Sequence, residues 1–309
     1  SITTSSGTAT LNVQTSIDQT GMNTLSGGSA TSGTNTLVEF NSSTSGGAST
    51  LADSLIGEVS GMTLATASFN GNLGVGSGSA SYFDSINFGT VNPTFSMGHG
   101  ILVTSGDGPP PLSNTTTSAS HIANGSGDSD LNTLLSGASS SQTTTDTTSL
   151  TFSFTVQSGV TAISFNWMFG TEEYPDQNVT DIAGVWVDGT NVLEFSNSSI
   201  VRYVMGTNDS FFTNNNQDHT GGSSPLSIEY DAITAPATVM AGLDTSLSTH
   251  TIKIAVSDTT DTVMDSGLFI GDFATGSGSG FSINDVTVSE RAMSRSMLKS
   301  PWRALLVEA

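Results

Sequence analysis

Between residues 150 and 290, apolar and polar side chains alternate with a period of two, and few folds satisfy that rhythm. Leu150, Phe152, Phe154 and Val156 alternate with Thr and Ser, and Ile163, Phe165, Trp167 and Phe169 repeat the pattern. Such a period puts each apolar set on one face of a strand. The runs IAGVWVDG, NVLEF, IVRYVMG, HTIKIAVSD, GLFIGDF and FSINDVTVSE follow, separated by turn-rich sequence. These runs predict an all-β chain folded as an antiparallel, jelly-roll-like β-sandwich, with Phe152, Phe154, Phe165, Trp167, Val185, Ile252, Ile254 and Phe269 in one core. Two short helices interrupt it. STLADSLIG (49–57) offers Ser49 or Thr50 as a cap, Leu51 and Leu55 four residues apart, and Gly57 as terminator. GDSDLNTLLSG offers Asp128 or Ser129 as a cap, and Leu131, Leu134 and Leu135 on one face.

The ends of the chain differ from this middle. Residues 1–48 are rich in Ser, Thr and Gly, with two strand-like islands. In the first, Ala9, Leu11, Val13, Thr15 and Ile17 share one parity; the second is Leu37–Phe40. Residues 291–309 gather Arg291, Arg295, Lys299 and Arg303 against Glu308 alone, and Trp302, Leu305, Leu306 and Ala309 form an apolar helical stripe. The reading is therefore threefold: a possible donor-strand segment (1–48), a β-sandwich domain (49–289) and a basic amphipathic helical tail (290–309). PPPLSNTTTSAS (109–120) and SSSQTTTDTT (139–148) read as polar loops. The GVGSGS run resembles a phosphate loop in its glycines alone; without the following Lys and helix it reads as a hairpin.

Charge narrows the function classes. The 309 residues carry 27 Asp and Glu against six Lys and Arg, a formal net charge of −21. Nucleic acid and anionic lipid are repelled by such a surface, whereas cations are drawn to it. With no cysteine, disulfides, thiolate zinc sites and cysteine nucleophiles are excluded. Ser and Thr supply 96 residues, which suits polar loops between strands rather than a helical bundle. No apolar run is long enough for a transmembrane helix. The chain begins at Ser1, which we read as the mark of a removed export signal, and hence of an extracellular, cell-surface or secreted-matrix location.

Carboxylates concentrate in two loops. GTEEYPDQNVTD places Glu172, Glu173, Asp176 and Asp181 after one strand run, and SDTTDTVMD places Asp258, Asp261 and Asp265 after another. If the loops meet, seven like charges with almost no base to pair them need a counter-ion. Calcium suits them, because it takes six to eight oxygen ligands from irregular loops. Zinc does not, since the four histidines are scattered. The competing reading is a solvated acidic rim.

TLADSLIG, GHGILVTSGD, GDSDLNTLL, LTFSFTVQSGVTAISFNWMFGTEEYPD, FFTNNN, IEYDAITA and HTIKIAVSDTTDTVMDSGLFIGDF occur in that order. Over about residues 50–273 the chain resembles the choice-of-anchor L domain of bacterial secreted surface proteins, the EEYP and D-x-x-D-x-x-x-DS motifs being the most specific part. The resemblance implies an exported β-rich module whose attachment signal varies, without a defined biochemical activity. Family members carry an Asn-Asp pair and aromatics after EEYP; here Thr180-Asp181-Ile182 keeps the acid alone.

Three function classes compete. A structural subunit of an extracellular filament or matrix, assembling head to tail with itself, uses the acidic body and basic tail as complementary surfaces. Its self-assembly residues would be Leu11, Val13 and Ile17 at one end and Arg291, Arg295, Lys299, Trp302, Arg303, Leu305 and Leu306 at the other. The alternative is a calcium-dependent adhesin or glycan-binding module with surface glycans as partners. An enzyme is not expected: adjacent Glu172 and Glu173 point to opposite sides of a strand, and no nucleophile motif occurs.

Overall fold

The structure, a computed structural model, describes residues 29–277 except 33–34, 44–46, 90–93, 117, 124, 176, 178–179 and 217–223, and of residues 29–32 the backbone alone. The expected donor strand around Ala9–Ile17 and the tail 290–309 lie outside the described residues.

Among the described residues two antiparallel sheets share one core. The larger has the order β1 (Ser29–Ser32), β2 (Asn35–Phe40), β4 (Ala80–Phe83), β7 (Gly100–Thr104), β17 (Ser266–Gly276), β9 (Ala162–Thr171), β14 (Ala232–Thr234) and β13 (Phe212–Asn214), with β15 (Ala237–Gly242) also on β9. The smaller runs β11 (Thr190–Asn191), β10 (Ile182–Val187), β16 (His250–Thr259), β8 (Thr144–Val156) and β3 (Met62–Asn70), with β12 (Val201–Arg202) also on β10. A small ribbon, β5 (Ile86–Asn87) with β6 (Ser96–Met97), stands apart. The sandwich expectation holds, although both sheets are wider than the four-stranded sheets of a plain jelly roll. Residues 29–32 and 35–40, assigned in sequence to the N-terminal segment, are strands of this sandwich: β2 pairs with β4 through Val38–Tyr82 and Phe40–Ala80.

Alternation explains the core. Phe152 and Phe154 of β8, Ile163, Phe165, Trp167 and Phe169 of β9, Val185 of β10, Ile252 and Ile254 of β16, and Leu268 and Ile270 of β17 meet between the sheets and are all buried. Helix α1 (Ala48–Ile56) adds Leu51, Ala52, Leu55 and Ile56 to the same core. Phe269 departs from expectation. It points out of the other face of the large sheet, into a second core with Phe83, Phe88, Met168 and Tyr230. Both faces of β17 are covered, so alternation no longer tells the two apart.

Two glycines are needed by that second core. A Cβ on Gly170 would lie 2.3 Å from Tyr230 Cδ2, and one on Gly267 would lie 2.1 Å from Tyr230 Oη. The paired strands β9 and β17 thus leave a slot that the Tyr230 ring fills.

The helices meet their sequence signals unequally. In α2 (Ser129–Gly137) the Asp128 carboxylate accepts from the N–H groups of Asp130 and Leu131, as expected of a cap. Helix α1 starts instead from Gly47, at φ +56°, with no side-chain cap; Ser49 and Thr50 are already inside it. The loop expected over 139–148 is cut short, because β8 begins at Thr144.

Candidate carboxylate site

Strand pairing brings the two acidic loops together. Thr171, the last residue of β9, stands opposite Ser266, the first of β17, so Glu172 and Asp265 leave the ladder side by side. The Glu172 N–H donates to the Asp265 carbonyl at 3.1 Å. In the other sheet Ile182 pairs with Ser257, which puts Asp181 and Asp258 at the matching end of the β10–β16 ladder. A register shift between Val256 and Asp258 turns the latter residue at that point. The Thr259 hydroxyl closes the gap by donating to the Thr180 carbonyl at 2.7 Å.

Glu172, Glu173, Asp181 and Asp258 are at most 1% exposed, and Asp265 is 5% exposed. Neither oxygen of Asp181 or of Asp258, nor Oε1 of Glu172, has a hydrogen-bond partner among the described residues. Burial and like charge act together on all of them. Desolvation, then the charge of Glu173, holds the Asp181 carboxyl well above the carboxylate range. Asp258 is likewise pushed up, first by burial and then by Asp181. The hydroxyls of Ser266 and Ser105 work the other way without forming an aligned hydrogen bond to either acid. Glu172 is pushed up to about 10, mainly by burial and then by Asp231, while the Ala119 N–H, donating to Oε2 at 3.3 Å, offsets part of it. Asp265 rises only to about 6, because burial is opposed by His121, whose N–H donates to both carboxylate oxygens at 2.9 and 3.0 Å.

Of the expected ligands, the fold gathers Glu172, Glu173, Asp181, Asp258 and Asp265. Asp261 lies at the surface, where its carboxylate accepts from the Val263 N–H at 3.3 Å. Asp176 lies outside the described residues. No three His, Asp or Glu side chains among the described residues are arranged to hold a metal ion as they stand.

Four further groups escaped the sequence reading. Asp146, at φ +50° in β8, accepts from the Ala123 N–H at 2.9 Å and the Gly125 N–H at 3.1 Å. Asp231 accepts from Asn114 and Asn216 at 2.8 and 2.7 Å. Glu229 takes the Thr115 and Thr116 N–H groups and the Thr115 hydroxyl. His121 bridges Asp265 and Asp107. The IEYD run that holds Glu229 and Asp231 was the available signal. Far from the site, Lys253 is engaged with Asp128 and Asp130, both at 2.6 Å. The glycine-rich run at 74–79 does cradle an anion, but an internal one: the Gly76 and Gly78 N–H groups donate to the buried Glu39 carboxylate at 3.0 and 2.7 Å.

A cavity of about 230 Å³ opens beside the carboxylates, lined by Glu172, Asp265, Asp107, Glu229 and His121 together with Pro109–Pro111 and Tyr230.

A family model described as the Choice-of-anchor L domain matches residues 41–274, from the end of β2 to within β17. The chain belongs to the choice-of-anchor L domain family. Both acidic loops and strands β3 to β16 fall inside the matched span. Membership makes this a cell-surface-associated or secreted protein. No helix among the described residues is long and apolar enough to cross a membrane. No curated protein and no solved structure matches the chain.

Proposed function

We propose that this surface protein is a non-enzymatic structural subunit of an extracellular filament or matrix, joining copies of itself through a sheet edge and stabilised by calcium. The observation that carries this reading is the outer edge of β3. It is the longest edge strand among the described residues, and it pairs with β8 on one side alone. Its sequence, MTLATASFN, has no charge and no proline. Natural sheets block such edges, because unpaired N–H and C=O groups recruit another strand.

The β3 edge also leaves the core ajar. Met62, Leu64, Ala67 and Phe69 face inward, the odd spacing being absorbed by a bulge at Ala65. Leu64, Ala67 and Phe69 stay half-buried, whereas Phe152 and Phe154 behind them are closed off. A hollow of about 370 Å³ runs past Met62–Ala65 and the end of α1. An added strand would cover this apolar rim, and the alternating Ala9–Ile17 run is a suitable donor.

Calcium is supported by the donor set. The five gathered carboxyls are hard oxygen ligands, and the partnerless oxygens of Asp181 and Asp258 gain most from a cation. These two residues, with Glu173 and Asp265 beside them, would hold it. The ion would supply structural charge neutralisation, drawing the two strand-end loops together. The adhesin reading is weaker, since Trp167 and Trp186 are both buried and leave no tryptophan face among the described residues for a sugar. The test is light scattering of the full chain with calcium, native against Ala65→Lys/Ser68→Lys. Growth of scattering with native protein and its loss in the variant support the reading; equal behaviour contradicts it.

A further inference from the structure

The cavity beside Glu172 has a chemistry distinct from that of a metal site. Its lining includes four acids, Glu172, Asp265, Asp107 and Glu229. Its apolar wall comes from three consecutive prolines, Pro109–Pro111, and from Tyr230. No Lys or Arg lines it; the basic group present is His121, between Asp265 and Asp107.

The acids lining it differ in what they have left to offer. Glu229 already accepts from two N–H groups and a hydroxyl. Asp265 is held by the backbone and ring of His121. Glu172 spends Oε2 on the Ala119 N–H, while Oε1 has no partner among the described residues although the side chain is 1% exposed. A buried acceptor without a donor costs about 1–3 kcal/mol, more when charged, so the cavity holds an uncompensated acceptor.

We propose that this cavity is a receptor pocket for a basic side chain of a polypeptide, an alkylammonium or guanidinium carried on an aliphatic stem. The charged head meets Glu172 Oε1 and Asp107, and the stem lies against the prolines and Tyr230. A bare hard cation would gain nothing from that apolar wall, whereas Lys and Arg stems pack on such surfaces while the head keeps its polar contact. Charge-assisted hydrogen bonds to a buried carboxylate are the stronger kind, which gives the pocket its selectivity. The described body has no Lys or Arg to spare for it: Lys253 is engaged at α2, and Arg202 sits on β12 in the other sheet. The other four basic residues of the sequence are Arg291, Arg295, Lys299 and Arg303. The basic side chain therefore comes either from this chain's own C-terminal stretch or from another surface polypeptide. The pocket does not depend on self-assembly; it borders the proposed calcium site, which centres on Asp181 and Asp258, through Asp265.

Isothermal titration of the full chain with Nα-acetyl-L-arginine amide tests the pocket. Saturable binding is expected, with no binding of Nα-acetyl-L-alanine amide, which lacks the cation. Glu172→Gln should weaken binding about tenfold or more, the loss of one charge-assisted contact. NMR of the native chain supplies a reading that needs no variant: the probe should shift the amides of Ala119, His121 and Tyr230. Replacing Arg291, Arg295, Lys299 and Arg303 together by Gln separates the sources. Tighter probe binding assigns the pocket to the chain's own basic stretch, and unchanged binding assigns it to another polypeptide. Calcium should still bind the probe-saturated chain. Absence of saturable binding, shifts confined elsewhere, binding indifferent to Glu172→Gln in a folded variant, or displacement of the probe by calcium would each overturn the proposal.

Discussion

The Glu172 N–H donates to the Asp265 carbonyl at 3.1 Å, so two carboxylates from loops far apart in sequence are set side by side by main chain alone. The ladder above them, Thr171 against Ser266, fixes that proximity whatever the side chains do. The charges thus follow from the fold, and the fold must accommodate them. In chelator, Asp258→Asn or Asp181→Asn should raise stability by about 1–3 kcal/mol, because each removes a buried, unsatisfied acid. The same variants should lose the stabilisation that calcium gives the native chain. Chemical denaturation with and without chelator measures both; destabilised variants with calcium response intact would contradict the assignment.

Acid should stabilise the metal-free protein. Glu172, Asp181, Asp258 and Asp265 all have folded-state pKa values above the ordinary range. A raised value means that the folded state holds its proton more tightly than the unfolded state. These groups therefore add stability as pH falls, with full effect below about 4, and that stability is lost as pH rises through the folded values. For Asp265 the loss falls between about 4 and about 6, and for Glu172 it extends up to about 10. Melting in chelator should shift upward from pH 8 to pH 5. The shift should shrink with calcium, which competes with the protons.

Glycine substitutions separate crowded from free positions. Gly170→Ala forces a methyl into the Tyr230 ring and should cost about 1–3 kcal/mol, as overpacking does. Gly137→Ala, in the last turn of α2 with nothing within 4 Å of the added atom, should be neutral or stabilise by up to about 1 kcal/mol. Urea midpoints of the two variants give the comparison directly.

Trp167→Ala should cost about 3–5 kcal/mol, because the ring is buried between the sheets and tilted against Phe195 at 6.0 Å. A loss under 1 kcal/mol would deny the ring its place in the core.

What the sequence revealed follows from periodicity. Strands with one face in the core, such as β8 and β16, announce themselves, since Phe152, Phe154, Ile252 and Ile254 alternate with polar residues. Phe269 misled because β17 is buried on both faces, and a run of apolar residues carries no face label. The start of β8 was hidden because residues 144–148 hold no apolar side chain, although the fold buries Thr144, Asp146, Thr147 and Thr148. Glycine at the start of α1 left no capping side chain to read. The acidic loops were legible from their density of carboxylates and from the EEYP motif. Asp146, Glu229 and Asp231 join them from other strands and loops, a convergence that spacing in sequence cannot encode.

Electron microscopy of the purified full chain, at high concentration with calcium and again with chelator, tests the central claim most directly. The account predicts extended polymers with calcium, fewer with chelator, and none with Ala65→Lys/Ser68→Lys on the edge of β3. Monodisperse particles the size of one chain under all conditions would contradict it.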